Sequence, residues 1–427
     1  MSESRRKVKR SICLVAFDAI PLIFPDASGS IGGAETRAIL IARLLSADPQ
    51  TQVVVVVRDS RGRPVKELDG FTVITRIDRL FRIRRFVSEH VTVLKSFPWL
   101  RIRRGNAKLI WQIPLLFVAR LLRLSTTSDN FRWLMAESDC NVCGCLGVSE
   151  RTAQVFHAAK AQHRRTILFI ASNADLDERF LKVPGFVGSY GDSGDRCAEA
   201  ICSADLIVCQ SEIQQKLLKE HFGKDSVCFP NPFDHDDWRS KLQHCTKLEV
   251  SIPSRFALWI GRSDRHHKRP ELLLQVARNC PEVQFVMIMN THDETVAAEV
   301  RNHCPPNVLI IERVPFADIP LYFRQSAMFV STGSKDYEGF PNVFLQAAAT
   351  ALPIISLEAD PGFIAKHRAG VVCHGDVEQL TLEVKTLWSH IDRAKCLGEN
   401  GQQYVSRCHS MDEARAQLLD MLDEVLR

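Results

Sequence analysis

A chain of 427 residues is long for one hydrophobic core and comfortable for two. Hydrophobic residues make up 45% and charged residues 25%, an ordinary globular composition that argues against a disordered or fibrous chain. The net charge is +5, and the longest apolar runs, Val53–Val57 and Ile113–Ala119, are strand-sized or helix-sized rather than long enough to cross a bilayer.

Met1–Arg10 is basic, but no apolar h-region with a cleavage site follows it. No secretory signal is therefore read, and the chain is expected to be cytosolic. The 14 cysteines fit that expectation, because most sit in apolar strand-like or helical settings such as Ile12-Cys13-Leu14-Val15, where a free thiol is a small buried hydrophobe. Cys140-x-x-Cys143-x-Cys145 has metal-like spacing for its first pair only. Without a second CxxC or a His pair, zinc is not expected there.

Short β-branched runs alternate with amphipathic helical stretches, which predicts parallel sheets with crossover helices. Ile12–Phe17 reads as the first strand, followed by a loop holding Gly29, Gly32 and Gly33, a helix from Ala34 to about Leu45, and a strand at Gln52–Val57. Strands resume at Cys140–Cys145, Thr166–Ile170, Leu206–Cys209 and Ser226–Phe229. Turn signals from Asn231-Pro232-Phe233 to Ser254 then break the pattern. A second series follows: Phe256–Ile260, Gln284–Met289, Val308–Ile311, Met328–Ser331, Ile354–Ser356 and Gly370–Cys373. Two successive doubly wound domains fit this better than one very wide sheet, with residues 1–235 and 236–410 as the domains and a final helix near Met411–Leu426.

Arg76–Arg123 stands apart, with twelve Lys and Arg against only Asp78 and Glu89, so it is locally +10. Apolar residues interleave with the bases in Leu80–Val87 and Leu115–Leu124. A basic amphipathic segment of this kind suits an anionic membrane surface, while a solvated helical face with snorkelling arginines is the plainer alternative. Little aromatic interleaving and no recognised motif speak against nucleic acid.

Four segments could carry chemistry. Gly29-x-x-Gly32-Gly33-Ala34-Glu35 lies between a strand and a helix, where glycines let a backbone approach a diphosphate and the helix N-terminus offers N–H groups. It lacks the GxGxxG spacing, and a tight turn is the competing reading. Gly261–Glu271 follows another strand and holds Arg262 and Lys268, two cations that could converge on a pyrophosphate. A basic surface loop is its alternative. Tyr337-Glu338-Gly339-Phe340-Pro341-Asn342-Val343 closes a third loop and opens the helix Asn342–Thr350. A carboxylate at Glu338 can accept from two ribose hydroxyls or simply cap the helix, and the helix N-terminus can receive phosphate oxygens. The fourth, Asn231-Pro232, is by itself only a turn.

Together these residues resemble the retaining glycosyltransferases of family 4, whose GT-B fold sets two Rossmann-like domains face to face. The resemblance runs from Gly32-Gly33-Ala34-Glu35 through Ala204–Ser211 and Asn231-Pro232 to Gly261-Arg262, Lys268-Arg269-Pro270-Glu271, Glu338–Asn342 and Ala347–Pro353. It implies a nucleoside diphosphate sugar as donor, with Arg262 and Lys268 on its phosphates and Glu338 on its ribose as the catalytic set. Gly32 and Gly33 would reach the diphosphate from the opposite domain, and Gly339, Phe340, Pro341, Asn342, Val343 and Gln346 would complete the donor site. It also implies no cofactor and no metal, and a terminal helix crossing back to the first domain. The acceptor would be a glycan or lipid-linked hydroxyl, in cell-surface polysaccharide or glycolipid synthesis at the cytoplasmic membrane face.

Three departures from the family pattern matter. A second Glu eight residues after Glu338 is replaced by Gln346, which keeps an acceptor oxygen but loses the charge. The Arg262-to-Lys268 spacing is one residue longer than the commonest form in the family. Where family members often carry a His after the fifth strand, this chain has Ser172-Asn173-Ala174-Asp175, and Asn173 or Asp175 would position acceptor or sugar instead. A catalytically weak module that binds nucleotide or a partner enzyme is the rival reading. An epimerase of the same fold lacks a clear carboxylate pair, and a dinucleotide oxidoreductase lacks the fingerprint.

Overall fold

The computed structural model describes residues 10–24, 32–59, 64–77, 80–93, 100–102, 105–122, 131–244, 251–312 and 314–427. Gly29 of the first glycine loop lies outside the described residues. The first strands are β1 (Arg10–Val15), β2 (Thr51–Asp59), β3 (Lys66–Leu68) and β4 (Phe71–Ile77), and a separate antiparallel hairpin, β5 (Val91–Val93) with β6 (Leu100–Ile102), follows. β7 (Val142–Leu146), β8 (Arg165–Phe169), β9 (Leu206–Cys209) and β10 (Val227–Cys228) return to the first sheet, whose order is β10-β9-β8-β7-β1-β2-β4-β3. Every pairing in it is parallel except β3 with β4.

The second sheet, β13-β12-β11-β14-β15-β16, is wholly parallel. Its strands are β11 (Ala257–Arg262), β12 (Phe285–Asn290), β13 (Val308–Ile311), β14 (Met328–Ser331), β15 (Ile354–Ser356) and β16 (Gly370–Val372). Both sheets are covered on both faces, which is why β1 and β14 are buried at every position and read as unbroken apolar runs. In each sheet the order reverses beside the first strand of the series, β1 or β11. Loops there splay apart and leave a crevice at the carboxyl ends of the strands.

The last helix, Met411–Leu426, packs Ala414, Leu418, Met421, Leu422 and Val425 into the core of the first sheet, beside Ile41, Leu45 and Val55. Arg10 adds a hydrogen bond to Asp423 (2.8 Å). The chain therefore ends on the layer where it began, as the resemblance implied.

Several details differ from the sequence expectation. The edge pair β3–β4 was not foreseen, and Arg76 and Ile77, read as the start of the basic segment, finish β4. Cys140 precedes its strand rather than opening it. The apolar stretch near Ile113–Ala119 forms a longer helix, Leu109–Leu121, that tolerates Pro114 in its interior. Cys13, Cys140, Cys143 and Cys145 are buried free thiols. Among the described residues no group of His, Cys, Asp or Glu is placed to hold a metal ion.

Leu418 is almost fully buried in the shared core. Leu418→Ala should cost about 2–5 kcal/mol in denaturant unfolding, by lost transfer energy plus a residual cavity. A loss under about 1 kcal/mol would show that the terminal helix is only loosely docked.

Candidate functional site

The loop after β11 is shaped by Asp264. Its carboxylate accepts from the backbone N–H groups of His266 (2.8 Å) and His267 (2.7 Å), and its carbonyl accepts from the N–H of Arg269 (2.8 Å). The loop closes with Arg269 in the left-handed region (φ +47°), and the helix Pro270–Arg278 begins with proline already set for its first turn. The Arg269 guanidinium binds the Thr332 carbonyl (2.7 Å) and Glu358 (2.7 Å). That leaves Arg262 and Lys268 as the cations of the loop that meet the Glu338 side.

Glu338 is 6% exposed and forms an ion pair with Lys268. His267 Nε2 lies 3.3 Å from the other carboxylate oxygen, at an angle too poor for a hydrogen bond. Arg262 in turn donates to His267 Nδ1 (3.1 Å) and sits 3.2 Å from Asp264. Burial by itself would push the Glu338 carboxyl up, but Lys268 and His267 outweigh it and hold it down at about 2. Gly333 makes room for this: a Cβ there would sit 2.6 Å from Glu338 Oε1.

The segment after Glu338 is pinned to the first sheet's loops. The Asn231 side chain donates to the Phe340 carbonyl (3.1 Å) and the Asn342 side chain (2.9 Å), and accepts from Gln210 (2.9 Å). Ser172 donates to the Tyr337 carbonyl (2.9 Å) and Asn173 to the Lys335 carbonyl (2.6 Å). Gly339 is squeezed where these meet, since a Cβ there would lie 2.7 Å from Gln214 Nε2 and 3.0 Å from the Ala171 carbonyl. Only glycine fits.

Two helix N-termini face each other in this crevice. The helix Gly33–Ser46 starts at Gly32, and the helix Asn342–Ala349 starts at Pro341; neither receives a side-chain cap from its leading residue. A Cβ on Gly33 would lie 3.7 Å from Asn342 Nδ2, so the two ends are neighbours. Each end carries a partial positive charge. Arg262 bears on the same point, because its charge opposes the upward push that burial and Asp18 exert on the Glu35 carboxyl.

The sequence-predicted residues fall into three groups. Arg262, Lys268, Glu338, Gly32, Gly33, Gly339, Pro341 and Asn342 come together. Phe340 turns inward and stacks on Phe363 (5.9 Å), while Val343 packs on the core and Gln346 is buried about one turn further along the same helix. Asp175 is also buried: it accepts from the N–H groups of Ala171 (2.8 Å) and Ser172 (3.2 Å), and burial raises its carboxyl to about 6 despite those bonds. Asp175 shapes the β8 loop, and Asn173 bridges to Lys335.

Other residues were not singled out. His267 couples Arg262 to Glu338, and Gln210 and Gln214 line the junction. Fully buried Arg37 donates to the carbonyls of Ile170 (2.8 Å) and Phe229 (3.0 Å), between the rings of Phe169 and Phe229. It thereby fixes the two strand ends that lead to Ser172 and Asn231. A polar residue on an apolar helix face, as Arg37 is on Gly33–Ser46, was the available signal.

A cavity of about 620 Å³ opens beside the crevice on the first sheet's side. Its wall includes Asp18, Glu35, Arg76, Arg84, Arg151 and Tyr190. The size suits a small-molecule or sugar-sized ligand.

Residues 254–390 match the family described as Glycosyl transferases group 1. No curated protein matches the sequence. Among solved structures, sucrose-phosphate synthase from Thermosynechococcus elongatus superposes with a TM-score of 0.68 at 15% identity, over 98% of this chain and 99% of that one. An α,α-trehalose-phosphate synthase (UDP-forming) from Burkholderia vietnamiensis gives 0.65 at 12% identity, over 97% and 100%. An E. coli structure described as trehalose-6-phosphate with bound UDP-2-fluoro glucose gives 0.63 at 10% identity, over 96% and 98%. The fold is GT-B, end to end. The resemblance to glycosyltransferases read from the motifs is matched on the segment that carries the most specific of them.

A depressed carboxyl contributes stability that is present above its unfolded-state value, near 4.5, and is lost as pH falls toward about 2. The melting temperature of the native protein should therefore exceed that of Glu338→Gln most clearly above pH 4.5. The gap should shrink steadily on acidification. A gap independent of pH from 6 down to 3 would mean that Glu338 is not held ionised by its neighbours.

Proposed function

We propose that the chain transfers a sugar from a nucleoside diphosphate sugar to a hydroxyl acceptor, with retention of anomeric configuration. The observation that carries this reading is the meeting of two helix N-termini, Gly33 and Asn342, beside Arg262 and Lys268. Arg262 Nε, on the same loop, is a buried donor without a hydrogen-bond partner. Such a group calls for an anion that would satisfy it. The match of residues 254–390 to group 1 glycosyl transferases supports the reading. So does the UDP-2-fluoro glucose named in a structural neighbour. Retention is supported by a further neighbour, a trehalose-6-phosphate synthase described in terms of glycosyltransfer with retention, at a TM-score of 0.64.

In this reading residues 236–410 hold the donor and residues 1–235 hold the acceptor. The bond from the anomeric carbon to the phosphate oxygen breaks as the acceptor oxygen attacks from the same face. In this mechanism the acceptor proton passes to the departing phosphate. Arg262, Lys268 and the two helix ends stabilise the charge that gathers on the diphosphate, and this electrostatic contribution dominates. Glu338, kept ionised, accepts from donor hydroxyls and holds Lys268 in place. No cofactor or metal is invoked. The acceptor hydroxyl belongs to a glycan or lipid-linked molecule at the cytoplasmic face of the membrane, in cell-surface polysaccharide or glycolipid synthesis.

Gln346 motivates the second reading, a module that binds nucleotide with little turnover. A thermal-shift screen against UDP-, GDP- and ADP-sugars, followed by hydrolysis of whichever stabilises the protein, separates the two. Lys268→Ala should lower turnover by about 10²-fold or more, the scale for losing one preorganised charge at a developing anion. Normal turnover in that variant would sink the site assignment; tight nucleotide binding with no turnover of any donor would favour the binding module.

A further inference from the structure

The helix Leu109–Leu121 buries Leu109, Gln112 and Ala119, half-buries Ile113 and Leu116, and turns the opposite face outward. The outward residues are apolar: Ile110 is 79% exposed, Trp111 53%, Phe117 64%, Val118 48% and Leu121 68%. A helix on the surface of a water-soluble domain normally shows charge on that side. Here Arg120 is the sole charged residue of the helix. The β5–β6 hairpin, whose first strand packs on the same helix Phe81–His90 that Leu109–Leu121 packs on, exposes Leu100 and Ile102 as well. An apolar helix face this exposed marks something that is covered in use.

We infer that this helix is a membrane seat: it lies in the plane of an anionic lipid surface with Ile110, Trp111, Phe117, Val118 and Leu121 among the acyl chains. Three observations select lipid over a protein partner. Among the described side chains the face offers no hydrogen-bonding group apart from the Trp111 indole, whereas protein interfaces carry polar rims and regular hydrogen bonds. The stretch around it, Arg76–Arg123, is locally +10 and so complements anionic headgroups. The helix has 13 residues, about 20 Å, too short to span a bilayer and well suited to lie along one. Among the described residues no helix is long and apolar enough to cross a membrane.

The seat is joined to the cavity. Arg76, at the end of β4, and Arg84, on the helix Phe81–His90 that packs against Leu109–Leu121, line the cavity, and Phe131 closes it where the chain returns to the first sheet. Lipid docking at the helix therefore brings the cavity mouth to the headgroup level, where a lipid-borne hydroxyl can enter without leaving its bilayer. This last consequence rests on the transferase reading; the docking does not.

The test uses the full chain and sedimentation with vesicles of phosphatidylcholine containing about one-third phosphatidylglycerol, with pure phosphatidylcholine as control. The native protein should bind the anionic vesicles, more weakly at high salt and more weakly to the neutral ones. Phe117→Ser with Leu121→Ser, both exposed positions, should reduce binding about tenfold or more while leaving the melting temperature unchanged. Failure of the native protein to bind, or equal binding by the double variant, would overturn the seat. So would a native dimer that the double variant turns into a monomer, because the face would then belong to a second copy. Nucleotide-sugar binding, followed on the same samples without vesicles, is expected to be equal in both proteins. If vesicle binding follows this pattern but no nucleotide sugar binds either protein, the seat stands and the transferase reading falls.

Discussion

A carboxylate buried at 6% exposure is unfavourable unless charge of the opposite sign stands against it, and Glu338 has that in Lys268 and His267. Much else in the second half of the chain follows from this arrangement. The loop after β11 must fold so that Lys268 arrives 70 residues away in sequence, which is what the Asp264 turn and the left-handed Arg269 accomplish. Gly333 must lack a side chain. Glu338 must precede a helix, so that the same few residues present both a fixed carboxylate and a set of N–H groups. Removing either partner of such a pair leaves a charge stranded in a low-dielectric setting, which is more damaging than the pair's own net stabilisation suggests.

The first sheet contributes to the same crevice through shape and neutral hydrogen bonds. Arg37 fixes the ends of β8 and the loop after β10; from there Ser172, Asn173 and Asn231 reach across to the backbone of Lys335, Tyr337 and Phe340. These cross-crevice contacts are few and mostly to backbone carbonyls, so they set a geometry without a large apolar interface. The terminal helix supplies the apolar tie instead.

The legible part of the sequence was whatever repeats locally. β1, β9, β11, β12 and β14 are apolar runs bounded by turn residues, and the helices after Gly33 and Asn342 carry their start signals beside them. Glu338, Arg262 and Lys268 were legible because they lie in compact motifs next to strands. The edge pair β3–β4 was not, since Lys66–Leu68 is too short and polar to stand out. The link through His267 and the contacts of Gln210, Gln214 and Asn231 were also hidden, because they depend on residues brought together only by the packing of two sheets. Asp175 illustrates the converse: a carboxylate in a promising place that folding commits to the backbone of Ala171 and Ser172. The exposed face of Leu109–Leu121 could be suspected from composition, but its orientation required the fold.

A crevice built from two cations and two helix N-termini is suited to grip a diphosphate. Calorimetric titration with a nucleoside diphosphate and with its parent nucleoside tests it most directly. Two charge-assisted contacts and two helix ends should make the diphosphate bind about 10²-fold or more tightly than the nucleoside, and that advantage should vanish when Arg262 and Lys268 are both replaced by alanine. Equal affinity for nucleoside and diphosphate in the native protein, or an advantage untouched by the double replacement, would contradict it.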